Sequence, residues 1–370
     1  MIMWAMLAVF AVIFGTYIYF FLRRVFRFYT KGQINKYLKV LNIILAMAGG
    51  IFSINIRNVA SIVLLHLIFS AMLFDVLAAV LQRIFHRKKE AGYYKMAYKL
   101  YHCGVLPVAA AFFILMYGFW NMKQIVCTEY TVETKKVLSD YKVILITDIH
   151  YATIQDTELL KEKISEINAE NPDIVILGGD IVEEGTPFDK MQEVFQVVQD
   201  IESTYGIFYI YGNHDRQPYT NNRTYTNEEL EQAITDNGIV ILEDDFVEIN
   251  EELTLVGRGD AAWGNNSKRA SIEEILKTAD TKKYIIVADH QPVEAEENDT
   301  AGVDLELSGH THAGQLWPAK YFFDIRKMLR YGRYQEGDCT VIVSSGFAGW
   351  QYPLRTQEHC EYVVVNIKGK

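Results

Sequence analysis

Five short apolar runs in this chain end in the same small set of residue types. Gly206-Ile-Phe-Tyr-Ile-Tyr211 leads into Gly212-Asn213-His214-Asp215, and Val143-Ile-Leu-Ile-Thr147 leads into Asp148-Ile149-His150. Ile174-Val-Ile-Leu177 leads into Gly178-Gly179-Asp180, Ile285-Ile-Val-Ala288 into Asp289-His290, and Leu305-Glu-Leu-Ser308 into Gly309-His310-Thr311-His312. β-Branched and aromatic runs favour strands. Gly, Asn and Asp after a strand favour a turn, so one such tetrapeptide needs no functional explanation. Turn formation does not call for histidine, and five strand ends carrying metal-type ligands exceed what it requires.

The histidines sharpen the point. Beyond residue 126 there are six, and His150, His214, His290, His310 and His312 all lie in these motifs, leaving only His359 outside. Asp148 with His150, and His310 with His312, are spaced by two, so in extended backbone each pair points to one side. Mixed imidazole and carboxylate donors suit Mn, Fe or Zn better than calcium. A shared carboxylate can hold two such ions ~3.5–4 Å apart, the clamp that phosphoryl-transfer enzymes use. Glycines beside the ligands let backbone approach a crowded centre.

Charge divides the chain in two. Residues 1–126 carry 14 Lys/Arg against only Asp75 and Glu90, a net +12, and the remainder carries a net −22. The acidic remainder argues against nucleic-acid binding. Met1–Leu22 has no charged side chain over 22 residues, enough for a bilayer core of ~20 residues. Lys39 and Arg57 bracket an apolar run of 17 residues; Asn58–Gln82 is interrupted only by His66 and Asp75; Lys99 and Lys123 bracket a fourth run with Pro107 near its start. No basic residue precedes the first run and no clear cleavage site follows it, which argues against a signal peptide. We therefore expect an N-terminal four-helix transmembrane bundle over 1–123, a polar connector over 124–140 and a second domain over 141–370. Asp75, with no second acid or clustered base to relay protons, is expected in a helix–helix contact or at the interface rather than on a transport path.

The segments from Arg23 to Lys39 and from Arg83 to Lys99 carry six Lys/Arg each, and the connection between the second and third runs has only Arg57. Basic loops face the cytoplasm. The expected protein is a multi-pass membrane protein with its C-terminal domain outside the cytoplasm.

From Tyr141 onward, short strand-like runs alternate with helical stretches. Asp156–Glu170 places Leu159, Leu160, Ile164 and Ile167 on one face, and Phe188–Glu202 reads as a second helix. Thr226-Asn-Glu-Glu229 and Ser271-Ile-Glu-Glu274 have capping-box form. Gly238–Gly257 reads as two strands turning at Asn250-Glu251, with late strands at Thr340–Ser345 and Glu361–Ile367. Mixed strands and helices give a layered α/β domain. The four cysteines Cys103, Cys127, Cys339 and Cys360 form no CxxC pair, and a Cys339–Cys360 disulfide and buried free thiols both remain open.

The ordered set Asp148-Ile-His150, Gly179-Asp180, Gly212-Asn-His-Asp215, His290-Gln-Pro292 and Gly309-His-Thr-His312 resembles the calcineurin-like metallophosphoesterases over residues 141–367. Ser308–Gln315, with Gly346 to Arg355, is most similar to bacterial membrane-associated phosphoesterases, some acting on phospholipid-like or nucleotide-lipid substrates. The fused bundle is similar to transmembrane proteins with a metallophosphoesterase domain. The resemblance implies an α/β/β/α sandwich and two divalent metal ions. It assigns Asp148, His150 and His312 to one metal and Asn213, His290 and His310 to the other, with Asp180 bridging. His214 then faces the phosphate and Asp215 orients it. Ala313 stands where Gly is common, which suits a φ below zero, and Glu183 stands where Asp is frequent and receives no metal role. Arg216, Arg258 and Arg355 are each either phosphate contacts or structural.

The expected function is membrane-anchored hydrolysis of a phosphomonoester or phosphodiester by metal-bridged hydroxide, with lipid-linked and envelope phosphates within range. The partners are that ester and the lipid bilayer. A catalytically silent metal-dependent sensor is the alternative, opposed by the complete ligand set. A transporter with an accessory domain is opposed by the lack of paired intramembrane charges.

Overall fold

The computed structural model describes residues 2–84, 92–152, 155–261 and 269–370. The chain divides into two compact units, Met1–Tyr117 and Gly118–Lys370.

In the first unit, the helices Ile2–Tyr29, Lys36–Ser53 and Val59–Ile84 are long and apolar enough to cross a membrane. The fourth apolar run differs from the single helix expected of it. It is two helices, Gly92–His102 and Val105–Asn121, bent by 68°. Gly104 sits between them at φ +77°, a left-handed conformation that ends helices and suits glycine. Pro107 falls in the first turn of the next helix, where its missing N–H is no loss. The spans therefore number three, or four with the bent pair as one. Small residues bring the first two helices together: a Cβ on Gly15 would lie 3.0 Å from the Ala46 carbonyl oxygen. Asp75 sits in a helix contact, accepting from Tyr17 and Tyr101 hydroxyls at 2.8 Å each and pairing with Arg24.

The second unit holds two six-stranded sheets. Its strands in chain order are β1 (Ile125–Thr134), β2 (Tyr141–Ile146), β3 (Ile174–Leu177), β4 (Ile207–Tyr209), β5 (Val240–Ile241) and β6 (Asp245–Glu248). There follow β7 (Leu253–Gly257), β8 (Tyr284–Ala288), β9 (Leu305–Ser308), β10 (Gly332–Glu336), β11 (Cys339–Val343) and β12 (Cys360–Gly369). One sheet runs β1-β12-β2-β3-β4-β5 and the other β10-β11-β9-β8-β7-β6. β2 to β5 are mutually parallel, as are β7, β8, β9 and β11, so their C-terminal ends share an edge of each sheet. The motif residues follow β2, β3, β4, β8 and β9, at these ends.

Side-chain alternation sorts the core into layers. Val143, Leu145, Ile174 and Ile176 pack with Leu255, Ile286 and Leu307 between the sheets. Ile144, Ile146, Val175 and Leu177 face the other way, onto Leu160, Ile164 and Ile167 of helix Thr157–Ala169 and Val194 and Phe195 of helix Phe188–Val198. Val256, Ile285, Val287 and Val341 meet Ile272, Ile275 and Leu276 on the far side. The result is the α/β/β/α sandwich.

Local signals translate directly. Asp156 caps helix Thr157–Ala169, and Thr226 with Glu229 forms a complete capping box for Asn227–Thr235. Ser271 caps only a short turn of helix, Ile272–Ile275. Asn250 Oδ1 accepts from the Glu252 and Leu253 amides and turns β6 into β7. The expected connector 124–140 is different: most of it is β1, an edge strand paired in parallel with β12 from Ile125↔Cys360 to Thr134↔Gly369. All four cysteines are free, with Cys339 and Cys360 buried.

Candidate metal centre

The chain leaves β2, β3 and β9 in left-handed backbone. φ is +57° at Asp148, +46° at His150, +52° at Asp180, +69° at His310 and +48° at His312. Such residues cost of order 1–3 kcal/mol each and persist where surrounding structure fixes them. Here backbone bonds do so: the Asp148 amide donates to the Gly179 carbonyl at 2.9 Å and the His150 amide to the Asp180 carbonyl at 3.0 Å. Only glycine fits at 179, where φ is +85° and a Cβ would sit 2.5 Å from the Gly212 nitrogen.

The left-handed turns change how the paired ligands are used. Spacing by two alone would bring His310 and His312 to a common point, whereas the family resemblance implies separate metals; in the structure they lie in different groups. His312 joins Asp148 and His150 in one buried group, and His310 joins Asp180 and His290 in a second. The groups adjoin: the His310 amide donates to Asp148 Oδ2 at 3.0 Å. Asp180 Oδ1 accepts from the His214 amide at 2.8 Å, and Oδ2 lies 3.2 Å from His290 Nε2.

Whether these residues suit cations is visible in what they lack. Asp148 Oδ1 and Asn213 Oδ1 are buried without a hydrogen-bond partner. A buried unpaired carboxylate or amide oxygen is expensive unless something positive faces it. Protonation favours ligation at His310, His312 and Asp180. Burial and the neighbouring His290 push His310 down to about 4, and burial with His150 holds His312 well below the usual range. Asp180 stays ionised, because the charges of His290, His214 and His150 overcome its burial. Neutral imidazoles and an ionised carboxylate are the forms that bind metal; His150 and His290, whose pKa values Glu183 and Asp180 raise against the effect of burial, would each release a proton on binding. The orienting contacts are present as well: His290 Nδ1 donates to the Gly178 carbonyl at 2.8 Å and His312 Nδ1 to the Ala348 carbonyl at 3.1 Å.

Glu183 orients His150, with its Oε2 3.0 Å from Nδ1. From sequence, Glu183 receives no metal role and its neighbour Glu184 is not singled out. His214 donates Nδ1–H to Glu184 Oε2 at 2.6 Å. Asp215, expected to orient His214, instead turns back on the main chain. Its carboxylate accepts from the amides of Asp180, Ile181, Val182 and Gly212 at 2.6–3.2 Å. The adjacency of His214 and Asp215 is misleading because the turn points the two side chains at different partners. Burial alone would lower the His214 pKa, but Glu184, Asp180 and Glu183 push it up to about 9. The ring also faces Trp350, with centroids 5.6 Å apart.

Ala313 has φ +53°, against the expected negative value, in a turn that Thr311 helps to close. The three candidate arginines are engaged structurally. Arg216 pairs with Glu243 and lies 3.8 Å over the Tyr211 ring, and Arg258 pairs with Glu294 at 2.7 Å. Buried Arg355 donates to the carbonyls of His312, Ser345, Ala348 and His359, tying together the loops behind the centre.

Comparison with known proteins agrees. The calcineurin-like phosphoesterase family model matches residues 141–314. The chain is 30% identical to an uncharacterized metallophosphoesterase of Campylobacter jejuni, over 65% of this chain and 62% of the relative. It is 29% identical to the phosphodiesterase YaeI of Escherichia coli, over 48% of this chain and 62% of that protein. It is 24% identical to a transmembrane protein with metallophosphoesterase domain of Danio rerio, over 71% of this chain and 62% of that one. The match thus spans about three fifths of each relative's length. On this match and these relatives, residues 141–314 are a calcineurin-like metallophosphoesterase domain.

Proposed function

We propose that this chain is a membrane-anchored, two-metal phosphoesterase whose catalytic unit lies outside the cytoplasm. The supporting observation is the pair of adjoining, largely buried groups, Asp148–His150–His312 and Asp180–His290–His310, together with the unpartnered Oδ1 of Asn213, next in the chain to the His214 amide that bonds Asp180. The first group would hold one divalent cation. The second, completed by Asn213, would hold another, with Asp180 reaching both. Bound there, the cations supply Lewis-acid activation of water and of the phosphoryl oxygens. His214, held by Glu184 and kept protonated, donates to a phosphoryl or leaving-group oxygen and stabilises the charge that develops on it. Asp215 fixes the loop that carries Asp180, and Glu183 and the Ala348 carbonyl hold the first group's imidazoles in register.

The sidedness rests on charge. Twelve Lys/Arg lie in the two basic segments and one, Arg57, between the second and third helices. The test of function is hydrolysis of p-nitrophenyl phosphate and its bis-ester by the purified full-length chain with Mn. Nitrophenol release that a chelator abolishes is expected. No release from either ester with Mn, Fe or Zn would defeat the proposal.

A further inference from the structure

The segment that follows His312 has an unusual surface. Residues 319–331 contain Lys320, Arg326, Lys327 and Arg330 against one acid, Asp324, within a unit that is otherwise strongly acidic. Its short helix Lys320–Ile325 buries none of its side chains. Tyr321, Phe322, Ile325 and Met328 are 51%, 57%, 83% and 43% exposed, four large apolar groups within eight residues. Arg330 is paired with Asp324 at 2.8 Å, and no ion pair engages Lys320, Arg326 or Lys327 among the described residues.

Both ends of the segment are fastened next to the metal ligands. The Thr311 hydroxyl donates to the Arg330 carbonyl, and a Cβ on Gly314 would lie 3.1 Å from the Lys320 nitrogen. Thr311 lies between His310 and His312, so this apolar, basic face rises directly beside the centre. Trp350, 40% exposed, and Tyr219 place further apolar surface at His214, with ring centroids 5.6 and 5.1 Å from the imidazole.

Clustered exposed apolar side chains mark an interaction surface. The flanking unpaired cations select an anionic partner, and the combination of aromatic, aliphatic and basic groups is that of elements lying in a lipid interface. Helices in the same chain are long and apolar enough to cross a membrane, which makes a bilayer the partner of matching chemistry within reach. We propose that residues 319–331 dock the catalytic unit onto an anionic bilayer surface. The phosphate ester hydrolysed beside them is then one whose alcohol portion is embedded in that bilayer. The substrate half of this proposal rests on the phosphoesterase reading above; the docking half does not.

The experiment uses the full-length chain in phosphatidylcholine nanodiscs containing phosphatidylglycerol. Cys103 and Cys127 are replaced by Ser, and Ile325→Cys carries an environment-sensitive nitrobenzoxadiazole label. Blue-shifted emission quenched by doxyl-labelled lipid is the expected result. Water-like emission indifferent to doxyl lipid overturns docking, as does energy transfer between differently labelled chains, which would assign the face to a second copy. Kinetics test the substrate class. Phe322→Glu with Ile325→Glu should leave hydrolysis of the soluble nitrophenyl esters within twofold. It should lower kcat/KM on vesicle-embedded phosphatidic acid or phosphatidylglycerol at least about tenfold. Equal activity of variant and wild type on the vesicles, or no vesicle hydrolysis by a wild type active on soluble esters, overturns the substrate class. A wild type inactive on every ester overturns the phosphoesterase reading instead, and the quenching result still decides docking. If the double variant loses both activities, the labelled Ile325→Cys chain, checked for soluble-ester turnover, carries the decision.

Discussion

The His214 imidazole donates to Glu184 across 2.6 Å, and this bond opposes the effect of burial on its pKa. His214→Ala should therefore keep both metal equivalents and lose ~10²–10⁴ in turnover, the usual range for a positioned acid–base group. Metal analysis beside kinetics checks it; loss of an equivalent would make His214 a ligand. Glu184→Gln removes a charge that raises the His214 pKa, so the protonated form gives way at lower pH. The alkaline limb of the kcat/KM profile should move down, with roughly tenfold less turnover at pH 8 and unchanged metal content. Asp215→Asn should behave otherwise. Its carboxylate satisfies four buried amides, each costing ~1–3 kcal/mol when left unmet. That variant should lose thermal stability and metal together, and a stable, fully loaded but slow Asp215→Asn enzyme would restore the role expected from sequence.

At the scale of elements, what was legible in the sequence is what is local. Capping at Asp156 and Thr226, the Asn250 turn and the β-branched runs each depend on a few neighbouring residues. β1 looks like a connector in sequence because an edge strand with exposed Cys127, Glu129 and Thr131 and half-buried Thr128 reads as polar. Only pairing with β12, more than 230 positions away, recruits it. The ligand residues are readable by type, whereas spacing alone does not yield their partition, which only the family resemblance implies, since it depends on left-handed turns that residue spacing does not reveal. Glu306 on β9 gives a test of burial at this scale. It is buried with Asn298 and Ser308, and desolvation with the Asp289 charge pushes its pKa up to about 7. A raised carboxyl favours the folded state fully below its ordinary value near 4.5, and the benefit is lost as pH rises through 7. Glu306→Gln should thus match wild type near pH 4.5 and exceed it by up to about 3 kcal/mol at pH 8. Thermal unfolding at both pH values reads the difference; a constant offset would mean Glu306 is ionised throughout.

For the whole molecule, a basic apolar unit and an acidic α/β unit share one chain, and where the second stands decides which esters it meets. Lys36–Ser53 is the element to watch. Its 18 residues span ~27 Å at 1.5 Å each, just short of a ~30 Å hydrocarbon core. Alkaline phosphatase fused after Lys370 should be active and a fluorescent protein fused there dark; the opposite pattern would place the centre in the cytoplasm. The most direct test of the central claim is a metal titration of the purified, metal-stripped full-length chain, following bound equivalents and phosphoester hydrolysis together. Turnover should appear as the second equivalent binds and saturate at two per chain. Full activity with one equivalent or none, or two bound equivalents without hydrolysis of either nitrophenyl ester, would contradict it.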